Sequence, residues 1–143
     1  MSDYLLISEV FPPRHGGSGR WFYELYRRLP QESVWIVTQI NEPIDDDRVD
    51  KNFPQKILRI PLSSEHWGIF NVWGAMFYLV SFYRILRFRL SKVKQIHCGR
   101  VLHEGVIGML FASLHRKPLL CFVHGEDIEV ARTSRELSWL VQK

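Results

Sequence analysis

A glycine-rich loop follows the first apolar run of the chain. Tyr4-Leu5-Leu6-Ile7 has the pattern of a buried strand, and Gly16-Gly17-Ser18-Gly19-Arg20 stands where a helical pattern begins. A strand that leads through such a loop into a helix presents unpaired backbone N–H groups, which favour phosphate. We therefore predict that Gly16, Gly17, Ser18, Gly19 and Arg20 bind phosphate. The alternative is a tight turn that lets the helix pack closely on the sheet.

The spacing of this loop excludes two common phosphate-binding motifs. The dinucleotide fingerprint needs a third glycine three residues after Gly19, where this chain has Phe22. A Walker A loop needs Gly-Lys-Ser/Thr, and no such tripeptide follows. Any phosphate contact here must therefore follow another pattern.

A second group of polar residues follows the last apolar run, Leu119–Val123. His124, Gly125, Glu126 and Asp127 come directly after it. Ligands of open α/β sheets bind outside the carboxyl ends of the strands. We predict a catalytic or ligand-binding role for His124, which could hydrogen-bond a hydroxyl or a phosphate. Glu126 and Asp127 either take part in acid–base chemistry or cap the following helix.

A third group, His97–Arg100 with His103, lies at the end of the preceding apolar run. We expect Arg100 and His103 to line the same cleft as His124. A zinc site formed by His97, Cys98, His103 and His124 is an alternative, but no pair has a known ligand spacing, so we predict no metal. Nucleophilic catalysis by Cys98 is not favoured either, because neighbouring strand residues such as His97 point to the opposite face.

Short apolar runs alternate with helical patterns through the whole chain. This alternation predicts an α/β fold, a Rossmann-like doubly wound parallel sheet with helices on both faces, in one domain over residues 1–143. The strands are expected at Tyr4–Val10, Val34–Thr38, Ile57–Ile60, Gln95–Cys98 and Leu119–Val123, and the helices at Gly19–Leu29, Phe70–Leu90, Glu104–His115 and Glu136–Lys143. We expect an acidic loop at Asn41–Asn52. Because the last helical pattern runs to the end of the sequence, we expect an incomplete domain; a short closing helix is the alternative.

Composition limits the classes of partner and compartment. The 143 residues are 46% hydrophobic and carry a formal net charge of +4. This charge favours anionic ligands or surfaces, but the basic residues form no single tract, so nucleic acid is not predicted. Cys98 and Cys121 lie on separate predicted strands, and Met1-Ser2-Asp3 lacks the features of a signal peptide. A reduced, cytoplasmic chain is therefore expected.

The segment from Trp67 to Tyr83 contains no charged residue and several aromatic ones. We expect a buried helix of the core. A membrane span is an alternative, although Gly68, Asn71 and Gly74 interrupt the apolar run. A third interpretation is a peripheral membrane helix at Trp67–Lys94, since the basic residues that follow could meet anionic lipid; they are Arg84, Arg87, Arg89, Lys92 and Lys94. Those cations could equally well complement the helix dipole.

Taken in order, these motifs resemble the N-terminal half of a family-4 glycosyltransferase, a retaining enzyme of the GT-B fold. The resemblance rests on Phe11-Pro12-Pro13 before the glycine-rich loop, on His97–Arg100 with His103-Glu104-Gly105, and on His124–Asp127. It covers nearly the whole chain. Such enzymes transfer a sugar from a nucleotide sugar to an acceptor, so the resemblance implies a nucleotide-sugar donor and a polysaccharide or lipid-linked acceptor.

The resemblance also implies roles for particular residues. Gly16, Gly17 and Arg20 would face the donor diphosphate, and His124 would contact the transferred sugar. Arg100, His103, Glu126 and Asp127 would lie on the acceptor side of the cleft. No metal and no cofactor are implied.

The chain departs from the family pattern at its C-terminal end. The family's C-terminal nucleotide-sugar domain is absent from the sequence, with its paired glutamates and the Arg and Lys that hold the diphosphate. We therefore expect no turnover by these 143 residues alone. The alternative function is a stand-alone anion-binding or membrane-associated regulatory module of flavodoxin-like shape.

Overall fold

A computed structural model of the chain describes residues 3–65, 68–88, 90 and 93–142. It contains a five-stranded sheet flanked by helices. The strands are β1 (Tyr4–Ser8), β2 (Val34–Gln39), β3 (Lys56–Ile60), β4 (Gln95–Cys98) and β5 (Leu119–Cys121). The helices are α1 (Gly17–Tyr26), α2 (Pro43–Asn52), α3 (Val72–Leu86), α4 (Glu104–His115), α5 (Gly125–Ala131) and α6 (Arg135–Val141).

All neighbouring strands pair in parallel, in the order β3-β2-β1-β4-β5. The central strand β1 is an uninterrupted apolar run because both of its faces are covered, as is usual in parallel sheets. The predicted fold class, a Rossmann-like doubly wound α/β sheet, is confirmed. The order matches the first five strands of the Rossmann arrangement and differs from the flavodoxin order, in which the second strand lies at the edge.

Side chains on the two faces of β1 enter two separate cores. Leu6 packs with Phe22 and Tyr26 of α1 and with Phe53, which follows α2. Leu5 and Ile7 point the other way, into a larger core formed with α3, α4 and Leu137 of α6. Alternating residues of one strand therefore hold helices on both faces, as the strand period requires.

The segment expected to be an acidic loop is helical, so that prediction is wrong. Pro43 lies at the start of α2, and Asp45 and Asp46 lie in its first turn, where they suit the positive end of the helix dipole. Asp46 also accepts hydrogen bonds from Asn41, including its backbone N–H at 2.8 Å. The sequence did not predict this helix, because few apolar residues mark its inner face.

The prediction of a buried helix at Phe70–Leu90 is only partly correct. The structure has a 15-residue helix, α3, with one face in the core and the other in solvent. Among the described residues, no helix combines the length and the hydropathy needed to cross a membrane. Trp67, Arg89, Lys92 and Lys143, which belong to predicted segments, lie outside the described residues.

Candidate functional site

A cleft lined by several of the predicted site residues lies at the carboxyl edge of the sheet, where β1 and β4 are neighbours. From β1 the chain builds the sheet in one direction through β2 and β3, and it then crosses back to β4 on the other side. Such a reversal opens a crevice between the loops after the two strands, which is the usual binding place of open α/β sheets. The cleft has a volume of about 530 Å³ and is lined by Val10, Arg14, His15, Gly16, Gly17, Ser18, Arg100, His124, Gly125 and Glu126.

The glycine-rich loop forms one wall of this cleft. Helix α1 begins at Gly17, and Gly16 before it provides no side-chain cap. The first backbone N–H groups of a helix have no acceptor within the helix, so those of Gly17 and Ser18 are available to a ligand. A Cβ atom on Gly17 would meet nothing within 4 Å.

Gly19 serves packing rather than ligand contact. A Cβ atom there would lie 3.0 Å from Val10 Cγ1 and 3.1 Å from the Val10 carbonyl oxygen. The close approach of α1 to the end of β1 therefore requires glycine. The tight-packing interpretation therefore holds for Gly19, whereas phosphate contact stays a prediction for the glycines that line the cleft, Gly16 and Gly17.

Arg20 does not line this cleft. It lines a neighbouring depression of about 490 Å³, together with Pro12, Pro13, Arg14, His15, Gly16 and Gly17. Arg14 belongs to both spaces, so the two depressions share one wall. The structure therefore places Arg20 beside the main cleft and adds Arg14 to it.

The proline segment before the loop is anchored by Arg59 of β3. Its guanidinium donates to the Pro12 carbonyl oxygen at 2.9 Å and pairs with Asp46 at 2.9 Å and Asp50 at 2.7 Å. Arg59 and Asp46 are almost fully buried. These buried ion pairs hold the Arg59 guanidinium beside Pro12. Removal of either partner would destabilise the fold strongly, because the other charge would be left buried and unpaired.

Arg14 reaches into the cleft while one of its nitrogens contacts the buried carboxylate of Glu9 at 2.7 Å. His103 Nδ1 lies 3.7 Å from the other oxygen of Glu9. The imidazole of His103 and the guanidinium of Arg14 lower the pKa of Glu9 to about 2. Glu9 therefore keeps its charge and holds the guanidinium of Arg14 through one of its Nη atoms.

A second carboxylate, Glu104, lies fully buried at the start of α4. Its Oε1 accepts the backbone N–H of Glu9 at 2.7 Å, which ties the end of β1 to α4. Its Oε2 has no hydrogen-bond partner among the described residues. Burial raises the pKa of Glu104 to about 7.

Sequence reasoning gave no separate role to Glu9 or Glu104. In the sequence, Glu9 and Glu104 are distinguished only by lying at the end of a predicted strand and at the start of a predicted helix. Acidic residues that cap helices occupy similar positions, so this placement does not indicate a special role. Glu9 and Glu104 are in contact although they lie 95 positions apart in the sequence. Only the tertiary structure brings them together.

The opposite wall of the cleft comes from the ends of β4 and β5. His124 Nε2 donates to the Gly99 carbonyl oxygen at 2.8 Å, which fixes the ring at the wall. Arg100 Nη2 lies 3.4 Å from Glu126 Oε2, and the Glu126 side chain is largely exposed. Such an exposed pair is weak, so a stronger anion can take the place of Glu126 beside Arg100.

Besides Gly19 and Arg20, two further predicted site residues, His103 and Asp127, do not line the cleft. His103 is buried behind Glu9 and contacts the ring of Phe77, with centroids 5.5 Å apart. Asp127 is buried too, and its Oδ2 accepts the backbone N–H of His124 at 2.9 Å. The expectation that His103 lines the cleft is therefore wrong, and Asp127 takes the capping role that was its alternative.

The structure also bears on the zinc and thiol alternatives. Within the described ranges, no group of three or more His, Cys, Asp or Glu side chains is placed to hold a metal ion. His97 turns away from this edge and bonds the Tyr26 hydroxyl at 2.5 Å. Cys98 lies on the other face, where its thiol contact with Cys121 and its burial raise its pKa. As expected, Cys98 is a buried thiol.

The arrangement can bind an anion between two walls. One wall offers backbone N–H groups at the start of α1, and the other offers Arg100 and the ring of His124. A ligand that carries a phosphate group and further polar groups could contact both walls. The sequence matches no protein-family model and no curated protein.

Proposed function

We propose that this chain forms the acceptor-side domain of a retaining glycosyltransferase, which transfers a sugar from a nucleotide sugar to a lipid-linked or polysaccharide acceptor. In this proposal a nucleotide-sugar domain outside these 143 residues supplies the rest of the site. The reaction takes place between the two domains. The chain is proposed to work in the cytoplasm, at the membrane surface when the acceptor is a lipid.

One observation carries the proposal. Residues from three separate motifs, Gly16–Ser18, Arg100 and His124–Glu126, line a single cleft at the topological switch point. These are motifs on which the sequence resemblance rests. Their convergence at the place where α/β sheets bind ligands supports a shared function.

The residues divide into two roles. The N–H groups of Gly17 and Ser18, with Arg14 and Arg100, would stabilise negative charge that develops on a departing diphosphate. His124, fixed by Gly99, would hold a hydroxyl group of the transferred sugar. The main contribution would be orientation of donor and acceptor, with charge stabilisation second.

The test is sugar transfer by the complete gene product that contains this chain. Radiolabelled nucleotide sugars would be supplied with polysaccharide and lipid-linked acceptors. We expect a product that keeps the anomeric configuration of the donor, and loss of at least about 10-fold in rate for His124→Ala. Ile44→Ala, at an exposed position of α2, is the control and should keep full activity.

The second candidate function is a stand-alone anion-binding module. It is favoured by the same N–H groups and arginines, because they can bind phosphate with no second domain. Its predicted flavodoxin-like shape does not agree with the observed strand order. Saturable phosphate binding by a complete gene product that transfers no sugar would favour this candidate over the glycosyltransferase.

A further inference from the structure

The outer face of α3 is apolar and exposed, whereas helices on a folded domain usually turn polar residues outward. Its exposed side chains have between 40% and 71% of their surface accessible: Val72, Trp73, Met76, Leu79, Val80 and Tyr83. Their spacing places them along one side of the helix. We call these six residues the α3 outer face.

The opposite side of α3 is already occupied. Gly74, Tyr78, Ser81 and Ile85 are its buried residues, and the helix packs against α4. An exposed apolar face on a helix whose other side is already packed marks a surface for interaction. The helix is about 22 Å long, less than the roughly 30 Å of a bilayer core, so it can lie on a membrane rather than cross it.

Charge along the segment identifies the kind of partner. The sequence from Gly68 to His103 contains no Asp or Glu. Arg84 lies in the last turn of α3, and the exposed Arg87 follows it as the C-cap. Glu136 of α6 is engaged at the other end of the helix, where it accepts the backbone N–H of Phe70 at 2.9 Å, and Glu104 lies buried on the inner side.

We propose that the α3 outer face binds the surface of an anionic lipid bilayer. The apolar side chains enter the boundary between headgroups and acyl chains, and Arg84 and Arg87 contact lipid phosphate. Trp73 and Tyr83 belong to the residue types that favour this boundary. A protein partner or a second copy of the chain would match the apolar residues, but the purely basic end of the helix selects an anionic surface.

This orientation has a consequence for the cleft. Helix α3 follows β3, so it starts near the carboxyl edge of the sheet and runs back along the strands. With α3 flat on a bilayer, the strands run parallel to the membrane, and the edge of the sheet that carries the cleft lies toward the start of the helix. A lipid-linked acceptor could then enter sideways; this last step rests on the proposed function, whereas membrane binding does not.

The experiment measures binding of the purified chain to vesicles by flotation and by the fluorescence of its tryptophans. Vesicles would contain phosphatidylcholine alone, or phosphatidylcholine with phosphatidylglycerol in a ratio of about 2 to 1. We expect binding at least about tenfold tighter to the anionic vesicles, weakened by salt. Arg87→Gln should weaken this binding about fivefold.

Leu79→Glu introduces a charge into the centre of the α3 outer face, and we expect it to reduce vesicle binding by at least about tenfold. Ile44→Glu makes the same change at an exposed apolar residue of α2 and should leave binding unchanged. Both positions face solvent, so both variants should keep the unfolding temperature of the original chain. Pyrophosphate binding in the cleft should also stay unchanged, which separates this proposal from the proposed function.

Three results would overturn the proposal. The first is absence of vesicle binding in a monomeric chain. The second is a dimer, seen by sedimentation, that Leu79→Glu dissociates, because the face would then join two copies. The third is vesicle binding that neither Leu79→Glu nor Arg87→Gln alters, because another surface would then carry it.

Discussion

Replacement of Glu104 by glutamine should remove the loss of stability that ionisation of Glu104 causes between pH 5 and 8. Glu104 is fully buried, and burial raises its pKa from 4.5 to about 7. The folded chain therefore keeps the Glu104 proton in a range where the unfolded chain has released it. The stability that this proton contributes is complete below pH 4.5 and is lost as the pH rises through 7.

The size of the effect follows from the two pKa values. A shift from 4.5 to about 7 corresponds to about 3 kcal/mol in total, of which about 2 to 3 kcal/mol falls between pH 5 and 8. Glutamine can still accept the Glu9 N–H through its oxygen. Its NH₂ group would replace Oε2, which has no partner among the described residues, so the variant should lose about 1–3 kcal/mol at pH 5.

The assay is urea unfolding at several pH values for the original chain, for Glu104→Gln and for Glu129→Gln, a change at an exposed carboxylate of α5. Burial lowers the pKa of His97, which acts with the opposite sign but equally in all three proteins. The difference between the original chain and Glu104→Gln therefore isolates Glu104. An identical pH slope in these two proteins would refute the reasoning.

Two further predictions concern the loop and its anchor. Gly19→Ala should lower the free energy of unfolding by about 1–3 kcal/mol, because the new methyl group would meet Val10, whereas Gly17→Ala should change it by less than about 0.5 kcal/mol. Urea unfolding of both variants checks this, and equal stability would contradict it. Arg59→Met should cost about 3–5 kcal/mol by the same assay, because Asp46 would be left buried without its partner; a loss below about 1 kcal/mol would show that the pair is dispensable.

The elements that the sequence predicted well are those with a strong apolar pattern. β4 and α4 have the predicted bounds, since their apolar residues alternate or recur every helical turn between clear polar boundaries. α2 was missed, and α5 was expected only as a helix without bounds, because short polar helices are held mainly by caps and tertiary contacts. The inner and outer sides of α3 could not be told apart, because both are apolar.

The candidate site was predicted in part for the same reason. Strand ends place Arg100, His124 and Glu126 at one edge, so the sequence alone brought them together correctly. Which way a side chain turns at that edge depends on its neighbours. His103 turns inward toward Glu9, and Asp127 turns back to the backbone of His124. The periodic pattern of apolar residues does not specify such contacts, whether the partner is far away in the sequence, as for His103, or near, as for Asp127.

The most direct test of the central claim is an NMR titration of the chain with pyrophosphate. We expect saturable shifts at the amides of Gly17 and Ser18 and at His124, and binding about tenfold weaker for Arg100→Ala. Arg28→Ala, a change at an exposed arginine beyond the far end of α1, should bind as tightly as the original chain. Shifts confined to other surfaces, or equal weakening by both substitutions, would contradict a diphosphate site in this cleft.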